Sequence, residues 1–360
     1  MEFSDEALHG RGSATLVLHL LGQCNLRCAH CYMDGAPERR EQLPLSAVLD
    51  AIAECDALDI GALYITGGEP LLYPGFDFVI HAAKRIPGLE PTVCTNGMRI
   101  TRHHADLFLD ARVRVNISVD GSPEFHDRFR ALPGAFAATE KRAHMLAEAG
   151  VPVTIIMTVS QGNLHSVRAV ADWAYGIGAV QFRVQPLLKL GRGEEIAGQR
   201  LTSEQLNRLL LELSDLANTY SAHGLKCNLV GVTRRFLLTH PCGAYVCNGA
   251  GCHRRVEQEI KKVVIREDGT VLPEVTNLDH RYAIGDIRDG SLRRMVHRYF
   301  DDGYARFDQL CRAAYNEVVP SYPEAVVPWD QILAERSRTW QPSEFVHLAA
   351  AGCGAGCGSP

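Results

Sequence analysis

No stretch of this 360-residue chain stays apolar for the roughly 20 residues that cross a bilayer; its longest hydrophobic runs are strand-sized. Positive charge is not in excess either. The 37 Lys and Arg against 42 Asp and Glu leave a formal net charge of -5, which excludes a global basic field that would gather nucleic acid or an anionic membrane surface. The opening MEFSDEALHG has neither the basic n-region nor the apolar h-region of a secretory signal, so a cytoplasmic setting is expected. There is no internal repeat beyond an alternation of strand-like and helix-like stretches. With 46% hydrophobic residues, wholesale disorder is excluded.

What the chain does have is cysteine, twelve in all. In a reducing compartment that number points to metal or redox chemistry rather than disulfides. Three fall in residues 22–33, GQCNLRCAHCYM, as Cys24, Cys28 and Cys31 in a C-x3-C-x2-C spacing. Thiolates suit iron–sulfur clusters, zinc or copper(I). A cubane cluster takes one ligand per iron, so three thiolates on one loop leave one iron open to a small molecule. A structural zinc site would need a fourth ligand, for which His30 is the local candidate. A disulfide would leave one thiol over.

The loop follows an apolar run, Thr15 to Leu21, that reads as a buried strand. Further on stands Thr66-Gly67-Gly68-Glu69-Pro70, after a second strand at 62–66. With these two motifs in order at strand ends, the chain resembles the radical S-adenosylmethionine (SAM) superfamily. From about residue 15 to 186 six β/α units alternate: strands at 15–21, 62–66, 91–95, 113–119, 151–159 and 180–185, with helices at 43–58, 76–85, 101–109, 135–149 and 164–175 between them. Six parallel strands are too few for a closed eight-stranded barrel. The expected fold is α/β, a partial (β/α)6 barrel with its active site at the strands' C-terminal ends, plus a small cysteine-rich C-terminal α+β domain. Boundaries are placed at 1–14 for an N-terminal extension, 15–225 for the barrel with a flanking helix at 206–220, and 226–360 for the second domain and tail.

The resemblance implies a [4Fe-4S] cluster with an open iron site, chelated by SAM. Gly67 and Gly68 lack side chains and permit close backbone approach. Glu69 can accept from the SAM ammonium or brace the loop, and Pro70 completes the motif. Tyr32 is expected near the adenine. Ser118 and Asp120, closing the fourth strand, are expected toward the ribose. Arg130, in His126-Asp127-Arg128-Phe129-Arg130, is expected to clamp a carboxylate with its planar, permanently charged fork. Asn96 is a turn residue first and a cofactor contact second. Cys55 reads as a small buried hydrophobe, and His126 and His165 as structural or solvated. No catalytic acid or base is assigned.

After residue 226 cysteine and glycine rise. Cys242, Cys247 and Cys252, a D-G hairpin signal within 263–274, and Cys353 with Cys357 resemble the SPASM or twitch extension of radical-SAM enzymes, which holds auxiliary iron–sulfur clusters. Two positions depart from that pattern. Glu274 stands where the hairpin usually supplies a cysteine, and Cys311 has Ala314 where its C-x2-C partner would be. One auxiliary cluster is expected, with a fourth ligand from the tail or from Glu274; a second cluster is the alternative, and zinc is the competing metal. Cys94, near the barrel mouth, and Cys227 stay unassigned.

The implied activity is reductive SAM cleavage to a 5′-deoxyadenosyl radical, which abstracts hydrogen from a substrate. A peptide or protein side chain is the favoured target, for a crosslink, thioether or oxidation. A small-molecule dehydrogenase or epimerase, for a sugar or aminocyclitol, is the alternative. A non-catalytic iron–sulfur electron carrier is the reading from another class, and it leaves Gly67–Pro70, Asp120 and Arg130 unexplained. An external one-electron reductant of flavodoxin or ferredoxin type is expected. Only about fourteen residues precede the first strand, so a separate partner is expected to supply any recognition domain for the peptide.

Overall fold

The computed structural model describes residues 14–241, 244 and 260–340. Ten of its strands form one sheet. β1 (Ala14–His19), β2 (Ile60–Thr66), β3 (Glu90–Thr95), β4 (Arg114–Ser118), β5 (Val153–Val159), β6 (Gln181–Pro186) and β7 (Lys226–Leu229) pair in sequence, all parallel. β8 (Val232–Thr233) stands apart. β9 (Lys262–Ile265) then pairs parallel with the free edge of β1, and β10 (Thr270–Pro273) and β11 (Gly285–Asp286) continue antiparallel beyond it. β12 (Val326–Val327) pairs with β8 in a separate two-stranded ribbon. The six expected β/α units are all present. β7 extends the sheet at one edge, and the C-terminal hairpin extends it at the other.

The crossovers are α1 (Leu45–Ala53), α2 (Phe76–Lys84), α3 (Arg102–Asp110), α4 (Pro123–Phe129), α5 (Ala135–Glu148), α6 (Val167–Gly176) and α7 (Ser203–Tyr220). Their sequence causes are local. Thr101 and Thr202 form capping boxes with His104 and Gln205, satisfying donors the first turn leaves open. Gly150, at φ +82°, follows α5 in the left-handed conformation that ends helices. In α7, Leu206, Leu209, Leu213 and Leu216 recur at helical spacing and are all buried; a fully buried leucine contributes about 1.5–3 kcal/mol.

Strand alternation divides the sheet into two faces. Leu16, Leu18, Leu63, Ile65, Val93, Val115 and Ile117 are fully buried in the core shared with the helices. The other face is polar. It presents Thr92 and Cys94 of β3, Asn116 of β4 and Gln181 of β6. Asn116 Nδ2 donates to Cys94 Sγ at 3.4 Å, and Gln181 Nε2 to Asn228 Oδ1 at 3.0 Å. A wall that is apolar behind and hydrogen-bonding in front is what a barrel needs in order to hold a polar guest.

Four more helices follow: α8 (Arg234–Thr239), α9 (Leu292–Asp302), α10 (Tyr304–Val318) and α11 (Trp329–Thr339). α9 agrees with the periodicity at 292–299. α4, α8, α10 and α11 were not expected. Cys311 and Ala314, taken from sequence as the remnant of a C-x2-C pair, lie on the buried face of α10 with Phe307, Leu310 and Tyr315. No described helix is long and apolar enough to cross a membrane.

Candidate active site

Every motif of the barrel lies at a strand's C-terminal end. The cysteine loop leaves β1, Gly67–Pro70 leaves β2, Asn96 leaves β3, and Ser118 and Asp120 close β4. The first two are bonded together through their backbones. Gly68 N–H donates to Leu21 O at 2.7 Å and Glu69 N–H to Gln23 O at 2.9 Å. The contact is close enough to demand glycine. A Cβ on Gly68 would lie 2.2 Å from Gln23 O, and one on Gly67, whose φ is +140°, 2.7 Å from Leu21 O. The close approach expected of these glycines is thus made to the cysteine loop itself.

Glu69 is fully buried. Oε1 accepts from Leu71 N at 3.3 Å and Thr95 Oγ1 at 2.7 Å, and Oε2 from Asn96 N at 2.9 Å. Of its two expected roles, bracing the loop is the one these contacts perform. Pro70 opens a single 3-10 turn, where its missing N–H costs nothing. Asn96 makes the turn with Oδ1 accepting from Met98 N at 3.0 Å, and reaches across to the cysteine loop with Nδ2 donating to Asn25 Oδ1 at 2.9 Å.

Cys24 and Cys28 are buried and Cys31 half-buried. Leu26 N donates to Cys24 Sγ at 3.4 Å and Gly35 N to Cys31 Sγ at 3.3 Å. Arg130 Nη1 lies 3.8 Å from Cys28 Sγ. Burial pushes the Cys24 thiol up to about 12 and the Cys28 thiol upward, the latter opposed by Arg130. Ligation must therefore displace protons. A cubane takes each thiolate on a separate iron. Three thiols on one loop, two facing amide donors and one facing a guanidinium, fit that group. His30 is stacked on Phe129 at 4.2 Å, with Nε2 3.9 Å from Asp120 Oδ2.

Asp120 is fully buried. Its Oδ2 accepts from Arg130 Nε at 2.7 Å and Oδ1 from Thr158 N at 3.0 Å. Burial alone would raise its carboxyl; Arg130 and its other neighbours outweigh that and hold it at about 2. Asp120 thus sits behind Arg130 and aims it at the cysteines. Ser118 is half-buried opposite Ile156. Tyr32 is 37% exposed and meets His19 edge-on at 6.2 Å. His126 is buried with Nδ1 accepting from Asp120 N at 3.2 Å, and His165 is exposed. Cys55 is completely buried.

Sequence reasoning missed Arg192, in a stretch it treated as a connection after β6. Arg192 Nε donates to Cys28 O and Nη2 to Gly35 O, both at 2.9 Å, and its amide donates to Cys31 O at 3.0 Å and Asp34 Oδ1 at 2.8 Å. Gly191 before it has φ +53°, and a Cβ there would lie 2.5 Å from Cys31 O. The signal was its position at the end of a barrel strand, where functional loops gather.

In the C-terminal part, Glu274 Oε1 accepts from Lys261 N at 2.6 Å and Lys262 N at 3.2 Å, so one carboxylate oxygen braces the hairpin. Cys311 is buried. Cys242, Cys247, Cys252, Cys353 and Cys357 lie outside the described residues.

Residues 19–174 match the family model described as Radical SAM superfamily. An AdoMet-dependent heme synthase of Oleidesulfovibrio alaskensis is 30% identical over 56% of this chain and 52% of its own length. The sporulation killing factor maturation protein SkfB of Bacillus subtilis is 29% identical over 53% and 48%. The chain thus spans about half the length of the curated relatives it matches. Among solved structures, Streptococcus suis SuiB bound to S-adenosylmethionine superposes with a TM-score of 0.65 at 16% identity, covering 83% of this chain and 68% of SuiB; SuiB has also been solved with its precursor peptide SuiA.

Proposed function

Because this chain belongs to the radical SAM superfamily, we propose that it cleaves S-adenosylmethionine reductively and uses the radical to take hydrogen from a peptide or protein side chain. The observation that carries the reading is the loop of Cys24, Cys28 and Cys31, locked backbone to backbone onto Gly68 and Glu69 and faced by Arg130.

Cys24, Cys28 and Cys31 would hold a [4Fe-4S] cluster. When bound, the reduced cluster supplies one electron to the SAM sulfonium, yielding methionine and a 5′-deoxyadenosyl radical. The chain's part is positional. Arg130, kept cationic by Asp120, offsets the charge of three thiolates and is within reach of a carboxylate. Arg192 and Asn96 fix the loop from two sides. Gly67 to Pro70, Ser118 and Tyr32 complete the proposed SAM contacts. Cys242, Cys247 and Cys252, with Cys353 or Cys357, would hold an auxiliary cluster in a domain running from 226 to 360. An external flavodoxin or ferredoxin would deliver electrons, and a separate protein could present the peptide.

The peptide reading is supported by likeness to SkfB, named for maturation of a killing factor, and by a fold shared with SuiB. A small-molecule substrate is the second reading, favoured by equal likeness to a heme synthase. The test is anaerobic reconstitution with iron and sulfide, then dithionite and SAM. Release of 5′-deoxyadenosine supports the reading; an intact cluster that releases none leaves the electron-carrier alternative.

A further inference from the structure

A cavity of about 680 Å³ opens between the cysteine loop, the loop after β6, the β9–β10 turn and the end of α11. Tyr32, Met33 and Asp34 form part of its wall, so whatever enters lies beside the loop that carries Cys31. At its edge stands Glu267, only 3% exposed. Its Oε1 accepts from Arg39 Nη2 at 2.8 Å, while Oε2 has no partner among the described residues. A buried carboxylate oxygen without a donor costs of order 1–3 kcal/mol, and nothing in the barrel's own chemistry accounts for it.

The cavity's other charges settle what would complete it. Four guanidiniums line it, and three are committed. Arg39 also bonds Glu41 Oε2 and Met33 O, Arg192 bonds Cys28 O and Gly35 O, and Arg266 pairs with Asp268. Arg338, exposed at the mouth, is the fourth. Against it stand Glu194 and Glu195, both exposed, and Glu267, whose unpaired Oε2 is buried in the cavity wall. Asp34 accepts from the Arg192 amide and Asp279 pairs with Arg281, so among the described residues three carboxylates with an uncommitted oxygen face one uncommitted guanidinium, with His280 beside them.

We propose that this cavity receives a cationic side chain of the substrate, an ammonium or guanidinium, and that Glu267 is its anchor. The proposal rests on the radical-SAM reading above and adds to it the substrate's charge. A cation at Glu267 would complete a charge-assisted pair in a partly dry site, where such bonds are about twice as strong as neutral ones. Glu194 and Glu195 at the rim would draw the cation in.

The test uses acetylated, amidated Gly-Lys-Gly, Gly-norleucine-Gly and Gly-Glu-Gly, titrated calorimetrically into the full-length reconstituted enzyme with SAM at low ionic strength. The lysyl peptide is expected to bind roughly tenfold tighter than the norleucyl one, with the glutamyl peptide weakest. Glu267→Gln should abolish that preference. Arg338→Glu, an exposed change that leaves the buried pairs intact, should tighten lysyl binding several-fold. Equal binding of the lysyl and norleucyl peptides, preference for the glutamyl peptide, or an unchanged preference in a folded Glu267→Gln protein would overturn the proposal. The same preparations are assayed for 5′-deoxyadenosine. Wild-type enzyme that releases it without charge preference sinks only the cavity assignment, whereas none released sinks the radical reading whatever the peptides do.

Discussion

Cys28 meets a guanidinium at each end, Arg130 at its sulfur and Arg192 at its carbonyl. The two have different duties. Arg130 supplies charge, while Arg192 supplies shape by holding Cys28 and Gly35 carbonyls together across the loop. Arg192→Ala should therefore lower the iron retained after reconstitution several-fold and cost about 1–3 kcal/mol of stability through stranded carbonyls; full iron content would show that the loop holds itself. Glu69→Gln should cost a similar amount, because an amide offers one acceptor oxygen where two oxygens now serve three donors; urea denaturation of the apoprotein checks it. Legibility at this scale followed locality. Cys24, Cys28, Cys31 and Gly67–Pro70 are short runs whose spacing carries chemistry. Arg192 acts on a loop some 160 residues earlier, and no local pattern marks such a reach. The Arg39–Glu267 pair, 228 residues apart, was invisible for the same reason.

Among the elements, the fit of the β1 and β2 exit loops is the most exacting. Gly68→Ala places a methyl 2.2 Å from Gln23 O, where the neighbour is backbone and has no side chain to rotate away. The expected result is a loss of more than about 2 kcal/mol together with poor cluster loading. Circular-dichroism melting and iron analysis would check both, and native behaviour in either would mean the loops are looser than described. The parallel strands were readable because apolar runs alternate with helical periodicity. α4 was hidden inside a charged motif, although Ser122 as N-cap and Pro123 at N1 signal a helix start. α10 was obscured by its own cysteine. Reading Cys311–Ala314 as a ligand remnant masked a helical stripe of Phe307, Leu310, Cys311, Ala314 and Tyr315. α11 begins directly after Pro328 in a stretch whose Trp, Pro and Tyr content read as insertion.

Across the whole molecule, the C-terminal hairpin is sewn onto the barrel's first strand, since β9 pairs with β1 along Thr15–Leu18. The sequence showed the hairpin through its Asp268-Gly269 turn but not its docking edge, because parallel pairing leaves no mark in local spacing. Charges of the hairpin therefore act on a buried group of the first strand, His19. Burial, with Arg266 adding and Asp268 opposing, holds His19 down at about 3; burial and Arg130, against Asp120, hold His126 at about 4. Below the ordinary 6.5 the unfolded chain takes up protons that the folded chain refuses, so stability should fall as pH drops from about 6.5 toward 4. Melting temperatures across that window would show the decline. His126→Asn, which keeps an acceptor for Asp120 N, should make it shallower while His19 sustains the rest, and an unchanged slope would remove His126 from the account.

The proposed division of labour between the two cysteine groups also belongs to the scale of the whole chain. Replacing Cys242, Cys247 and Cys252 together by Ala should preserve some SAM cleavage and end substrate turnover, while Ala at Cys24, Cys28 or Cys31 should end both. The triple variant also isolates the site on which everything depends. Its dithionite-reduced form, examined by electron paramagnetic resonance with and without S-adenosylmethionine, is predicted to show a [4Fe-4S]+ signal whose g-values move when the ligand is added, as an iron with an open position requires. A signal indifferent to the ligand, or no iron–sulfur signal at all from protein that retains Cys24, Cys28 and Cys31, would contradict the account at its base.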